Sequence, residues 1–163
     1  MKKSYLLFGL IAIAVVVLDQ ITKHLIDSRM LLHDSIPVIG GFFSITYVKN
    51  PGAAFGFLAG ASPLFRAVFF IGVTLAAIIL ILYYMRKMKV EDALVIVPLS
   101  LILGGAVGNL IDRVRLGEVI DFLDAHWYQH HWPAFNVADS LICVGVFLLA
   151  FDMLREEKRL KQG

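Results

Sequence analysis

Charge is what this sequence has least of. Asp, Glu, Lys and Arg make up 17% of its 163 residues, against about a quarter in a typical soluble domain. With 59% hydrophobic residues and a mean hydropathy of +0.79, an ordinary water-soluble globule is excluded. Cysteine is nearly absent: Cys143 stands alone and cannot form an intramolecular disulfide, and no Cys/His spacing matches a structural zinc site. An excess of one sign is missing too. Fifteen Lys+Arg against 13 Asp+Glu leave a net charge of +2, which excludes the broad basic field of a nucleic-acid binder. The 5 histidines contain no HExxH pattern, and His126, His130 and His131, beside Trp127 and Trp132, read as interfacial side chains rather than metal ligands.

What the chain has instead is long uncharged runs. A bilayer core about 30 Å thick needs roughly 20 apolar helical residues, and residues 67–85 and 93–111 carry no charge at all. The first of these is introduced by Ser62-Pro63, a capping hydroxyl and a proline suited to a first helical turn. Two further runs each contain charge: 4–18 continues helically through Asp19 and Lys23, and 132–151 is broken only by Asp139. Spans at 4–26, 64–85, 93–111 and 135–153, with outer segments 27–62 and 112–134, predict one membrane-embedded domain over 1–163. Lys2-Lys3 before an apolar run also describes a cleavable leader, but the run meets Asp19-Gln20 with no small-residue cleavage site, so a retained helix is expected. Lys2, Lys3, Arg86, Lys87, Lys89, Arg155, Lys158, Arg159 and Lys161 all fall opposite the two long connections. By the positive-inside rule both termini are then cytoplasmic.

In the first outer segment, residues 42–48 are rich in aromatic and β-branched side chains and follow a break at Pro37 and Gly40-Gly41. This predicts a strand or small hairpin outside the membrane. Its apolar character, with Phe55-Gly56-Phe57-Leu58 beyond it, fits either a platform on the lipid surface or packing onto the helix ends. Trp127, Tyr128 and Trp132 of the second segment suit the headgroup region.

Ionisable groups at membrane depth are costly and mark functional candidates. Here Asp19 and Lys23, Asn109, Asp112 and Arg113, and Asn136 and Asp139 all approach one layer near the outer surface, while the inner halves hold little polar beyond Ser100. That pattern reads as a site rather than a pore. Asp19 and Lys23, four apart with the acid first, suit a structural ion pair. Arg113 has the planar fork to hold a carbonyl or phosphate. Gly104 and Gly108 form a GxxxG spacing, either a close helix contact or room for a ligand chain beside the backbone. Asp139 opens an apolar helix one turn after Asn136, and Asp121 lies between apolar neighbours just outside the third span. If these two carboxylates meet, one pKa rises and the pair shares a proton, an acid and a base in one site. Cys143 is expected in the core.

Five blocks, Asp19-Gln20-Ile21-Thr22-Lys23, Asn50-Pro51-Gly52-Ala53-Ala54-Phe55, Gly104-Gly105-Ala106-Val107-Gly108-Asn109-Leu110-Ile111-Asp112-Arg113, Val119-Ile120-Asp121-Phe122 and Phe135-Asn136-Val137-Ala138-Asp139, together closely resemble the bacterial lipoprotein signal peptidases, or type II signal peptidases. The resemblance covers essentially the whole chain, and the family's NxGxAF pattern is met at Asn50, Gly52, Ala54 and Phe55. It implies a four-transmembrane-helix bundle with a small β-structured platform on the outer side, in the bacterial cytoplasmic (inner) membrane. It further implies an intramembrane aspartyl endopeptidase, without cofactor or metal, that removes the signal peptide from diacylglyceryl-modified prolipoproteins by cutting before the lipidated cysteine. Carried over residue by residue, Asp121 and Asp139 become the catalytic pair; Asn50, Gly52, Asn109, Arg113 and Asn136 become substrate-positioning groups; Asp19, Lys23, Gly104 and Gly108 become supports. The expected partners are the prolipoprotein and membrane lipid, with no nucleic acid, and the expected state is a monomer. The alternative from another class is a small four-span proton-coupled transporter or lipid-binding subunit, which needs a polar route to both surfaces.

Overall fold

A computed structural model describes residues 2–52, 57–58, 60–87 and 92–162. Among these residues are four helices, α1 (Lys2–Arg29), α2 (Pro63–Lys87), α3 (Ala93–Leu116) and α4 (Val137–Gln162), and four strands, β1 (Ser35–Ile39), β2 (Phe43–Asn50), β3 (Val119–Trp127) and β4 (His130–His131). Each helix is long and apolar enough to cross a membrane. The strands form an antiparallel sheet in the order β1-β2-β3-β4 that packs against one end of the bundle. Ala53, Ala54, Phe55 and Gly56, from the NxGxAF motif and the expected platform, and Lys89 of the basic turn lie outside the described residues.

Local chemistry sets the helix ends. The Asp92 carboxylate accepts the Leu94 amide at 2.9 Å and caps α3. The uncharged run ends at 111, yet α3 continues to Leu116 because Asp112 finds partners inside the protein and no water-facing break is needed. Gly117, at φ 77°, stops it by donating to the Arg113 carbonyl at 3.1 Å. α4 opens at Val137 rather than 135, since Phe135 still belongs to the sheet, exchanging backbone hydrogen bonds with Leu123 at 2.8 and 3.0 Å.

In lipid, apolar surface alone does not drive helices together, so close fit must. A Cβ on Gly104 would lie 2.6 Å from Val15 Cβ, and one on Gly108 would lie 2.5 Å from Asp19 Oδ2. Of the two readings of the GxxxG spacing, close contact with α1 is the one the fold uses. Gly105 faces the other way, where a Cβ would lie 2.6 Å from the Ala138 carbonyl oxygen, and a Cβ on Gly145 of α4 would lie 2.8 Å from the Pro98 carbonyl oxygen. α3 is thus clamped on two sides. Away from the sheet, Phe8, Ala12, Ile81, Met85, Ile96, Leu99 and Leu103 join α1, α2 and α3 in an apolar core.

β2 forms over the aromatic and β-branched run, and the chain turns into it through Gly41 at φ 79°. Pro37, read above as part of a break, instead lies inside β1. That strand is at the sheet's edge, where a missing N–H is tolerated, and its register with β2 shifts just after the proline. Tyr47, Ile120 and Phe122 bury the sheet's inner face against Ile26, Met30 and Val137. The Tyr47 hydroxyl donates to the Asp27 carboxylate at the end of α1. Burial first, and that carboxylate second, push the phenol up to about 12. β2 and β3 therefore pack onto the helix ends, while β1 and the rings of Phe42, Trp127 and Tyr128 remain exposed.

Candidate active site

The Phe135–Leu123 bridge runs the chain alongside β3 just before α4 begins, and this delivers Asn136 and Asp139 to Asp121. Asn136 caps α4: its side-chain oxygen accepts the Asp139 amide at 2.9 Å, and its own amide donates to Asp139 Oδ2 at 3.3 Å. This is the reciprocal logic of a capping box. The Asn136 side-chain amide is left to point elsewhere, and it donates to Asp121 Oδ1 at 2.7 Å. One fully buried asparagine thus touches both carboxyl groups. Asp121 Oδ2 also accepts from Asn50 Nδ2 at 3.0 Å, and Asp139 Oδ1 from Asn109 Nδ2 at 2.7 Å.

Beneath this pair lies a buried ionic layer. Lys23, 2% exposed, bridges Asp19 and Asp112 at 2.9 Å each and donates to Asn109 Oδ1 at 2.8 Å. Asp19 in turn accepts the Ala138 amide at 3.0 Å, satisfying a backbone donor in the first turn of α4 that has no partner within the helix. The remaining bonds also close. Asp112 takes the Ile120 amide at 3.2 Å and the Gln20 side chain at 3.0 Å, so the ends of α1, α3, β3 and α4 share one network.

Asn50, Gly52, Asn109, Arg113, Asp121 and Asp139 line one cavity of about 470 Å³, with Val119, Phe135 and Ile142 among its apolar walls. Arg113 reaches the Gly52 carbonyl at 3.4 Å. Asp19, Lys23, Gly104, Gly108 and Asn136 are not part of the cavity lining. Burial first, and the Asp139 charge second, raise the Asp121 carboxyl to about 7, against the opposing pull of the Asn50 and Asn136 amides and of Lys23. A carboxyl poised near neutrality beside a second one can give a proton while its neighbour takes one. Among the described residues no three His, Cys, Asp or Glu side chains converge as metal ligands. Toward the opposite end of the bundle the buried polar side chains among them are Ser100 and Asp152, and Ser100 is bonded to its own helix at Ile96.

Three residues depart from the sequence reading. Cys143, expected in the core, is exposed and lines the cavity, because α4 meets α3 through Ile142 and Gly145 and so turns position 143 away from the contact. Asp112, placed above in the polar layer but given no role, is buried as the second partner of Lys23. Gln20 carried no role, although it donates to Asp112 and to the Gly108 carbonyl. Their one available signal was position: Gln20 follows Asp19 directly, and Asp112 lies one turn beyond Gly108.

A family model described as signal peptidase (SPase) II matches residues 11–155. A protein of Geobacter sulfurreducens named lipoprotein signal peptidase is 58% identical over 159 residues, 98% of each chain. Another of that name, from Syntrophus aciditrophicus, is 56% identical over 158 residues, 97% of this chain and 98% of that protein. A solved bacterial membrane enzyme, determined by the in meso method at 2.3 Å resolution, superposes with a TM-score of 0.84 at 38% identity, covering 93% of this chain and 90% of that one.

Proposed function

The chain belongs to the signal peptidase II family, a family of membrane proteases that process lipoproteins, and on that premise we propose that it is an aspartyl endopeptidase whose catalytic pair is Asp121 and Asp139. Its substrate on this reading is a diacylglyceryl-modified prolipoprotein, cut before the lipidated cysteine. The observation that carries it is Asn136, which bonds both carboxyl groups at the wall of one cavity. The ionised member of the pair takes a proton from water as the oxygen attacks the scissile carbonyl carbon. The protonated member donates to the carbonyl oxygen and then helps the amine depart, with no covalent intermediate.

Asn50, Asn109 and Arg113 offer partners to the extended signal peptide, whose unpaired backbone groups are expensive in lipid. Gly52 lines the cavity, while Asp19, Lys23, Gly104 and Gly108 hold the helices that carry the site. The starts of α1 and α3 and the ends of α2 and α4 lie opposite the sheet, and the cations at those ends orient both termini to the cytoplasm, with the site near the outer face and water within reach. A single chain supplies every group named, consistent with a monomer.

The test is a gel-shift assay with a prolipoprotein, with and without its diacylglyceryl group. Wild-type protein should cleave only the lipidated form. Asp121→Asn and Asp139→Asn should each lower turnover by at least about 1,000-fold while the purified protein stays folded. Cleavage surviving in either folded variant would remove the pair from the mechanism. Proton-coupled flux in vesicles without any cleavage would restore the transporter.

A further inference from the structure

Arg113 is the one guanidinium lining the cavity among the described residues, and none of their carboxylates lies within ion-pair distance of it. The charges that reach it, those of Asp139, Asp121 and Asp112, act from further away. Its one hydrogen bond to those residues, to the Gly52 carbonyl, is long at 3.4 Å. A long, rotamer-rich side chain held so loosely would sample many positions. What lies against it is a ring: the guanidinium carbon sits 4.9 Å from the centroid of Phe70 on α2.

Phe70 is itself gripped. Phe69 meets it edge-on at 5.3 Å, Phe65 stacks on Phe69 at 6.0 Å, and Phe57 meets Phe69 at 6.4 Å. The Gly52 carbonyl, two residues past β2, and the ring of Phe70 on α2 are therefore the groups set against Arg113. We propose that the face of Phe70 is the seat that aims the Arg113 guanidinium into the cavity, making Phe70 a positioning residue for substrate binding. The inference rests on the peptidase reading above and assigns to α2 a part in the site beyond spanning the membrane.

The experiment uses the full chain purified in detergent with lipidated prolipoprotein. Loss of a partly desolvated cation–π contact corresponds to a fall in kcat/KM of about 5- to 30-fold for Phe70→Leu, expected in KM with kcat little changed, since a binding contact is removed. Phe70→Trp, which keeps an aromatic face, should recover most of the loss. Stepwise ring fluorination of Phe70, which weakens the face at nearly constant volume, should lower kcat/KM in steps. In an Arg113→Gln background the same Phe70 changes should have no further effect. Equal losses in both backgrounds, or no trend with fluorination, would overturn the seat.

Failure of the peptidase reading shows separately, as absence of wild-type cleavage or its survival in Asp121→Asn. The seat can then still be judged without substrate, by thermal melting of Phe70→Leu, Arg113→Gln and the double variant. Less-than-additive shifts support it, and additive shifts refute it.

Discussion

α3 and α2 are nearly matched as sequences, 24 and 25 residues long, and their most apolar 18-residue windows have mean hydropathy 2.2 and 2.6. Within the protein they could hardly differ more, for half of the apolar window of α3 is buried against 6% of that of α2. Hydropathy says that a segment crosses a membrane; it does not say what the segment faces. The difference lies in other residues. α3 carries Gly104, Gly105 and Gly108 where neighbouring helices press against it, and Asn109 and Asp112 where it meets the ionic layer. α2 presents Val68, Val73, Ile79 and Leu80 outward, with one glycine, Gly72, that faces open space.

The largest expected effect comes from breaking the ionic layer that α3 shares with α1. Lys23→Met leaves Asp19 and Asp112 buried without their cation, and thermal unfolding in detergent should report a loss of about 3–5 kcal/mol. Arg86→Met at the exposed end of α2 should stay within about 0.5 kcal/mol of wild type. Truncating a side chain makes the same comparison with apolar groups. Ile96→Ala, at 1% exposure on α3, should cost about 2–5 kcal/mol, whereas Ile79→Ala, at 66% on α2, exchanges lipid contact for lipid contact and should cost well under about 1 kcal/mol.

Glycine sharpens the contrast to a change of sign. Gly104→Ala forces Val15 and the Ala12 carbonyl to move and should destabilise by about 1–3 kcal/mol. Gly72→Ala meets nothing and should raise the melting temperature slightly through helix propensity. Parallel melting curves for the two variants would show that α3 has no tighter packing than α2.

A last effect is a slope with pH at the sheet end. Because Asp121 is raised from 3.8 to about 7, the folded protein holds a proton that the unfolded chain has released between those values. Its contribution to stability is full below 3.8 and is lost as pH rises through about 7, at no more than about 1.4 kcal/mol per pH unit. Asp121→Asn should flatten that part of the melting-temperature profile. An unchanged slope would place the proton on another group.

Much of this organisation was legible in the sequence. Uncharged runs locate four spans because the bilayer imposes both length and polarity, and Asp139 stands out as the break in an otherwise uncharged run. Of the residues lining the cavity, Asn109, Arg113 and Asp139 stood out because polar groups at membrane depth need a purpose, and Asp121 by its apolar neighbours, whereas Asn50 and Gly52 came only from the family resemblance. What stayed hidden depended on rotation and pairing. Cys143 differs from Ile142 by one step around α4, and only the choice of contact face decides which of the two is covered. Asp112 looks solvated until Lys23 arrives from α1, and Tyr47 shows no sign of the Asp27 it bonds. Phe70 reads as one apolar residue among many on a lipid-facing helix, since the charge it meets lies on another helix.

One feature of α4 also bears on the order of synthesis. The helix starts against groups made far earlier, with Ala138 donating to Asp19 and Asn136 meeting Asp121. A nascent chain with three spans in the bilayer already displays Asp121 and Arg113 but has neither Asp139 nor Asn136. Whatever the two carboxyl groups do together therefore begins only when the last helix is delivered, and a growing chain stays silent toward neighbouring peptides until it is nearly complete.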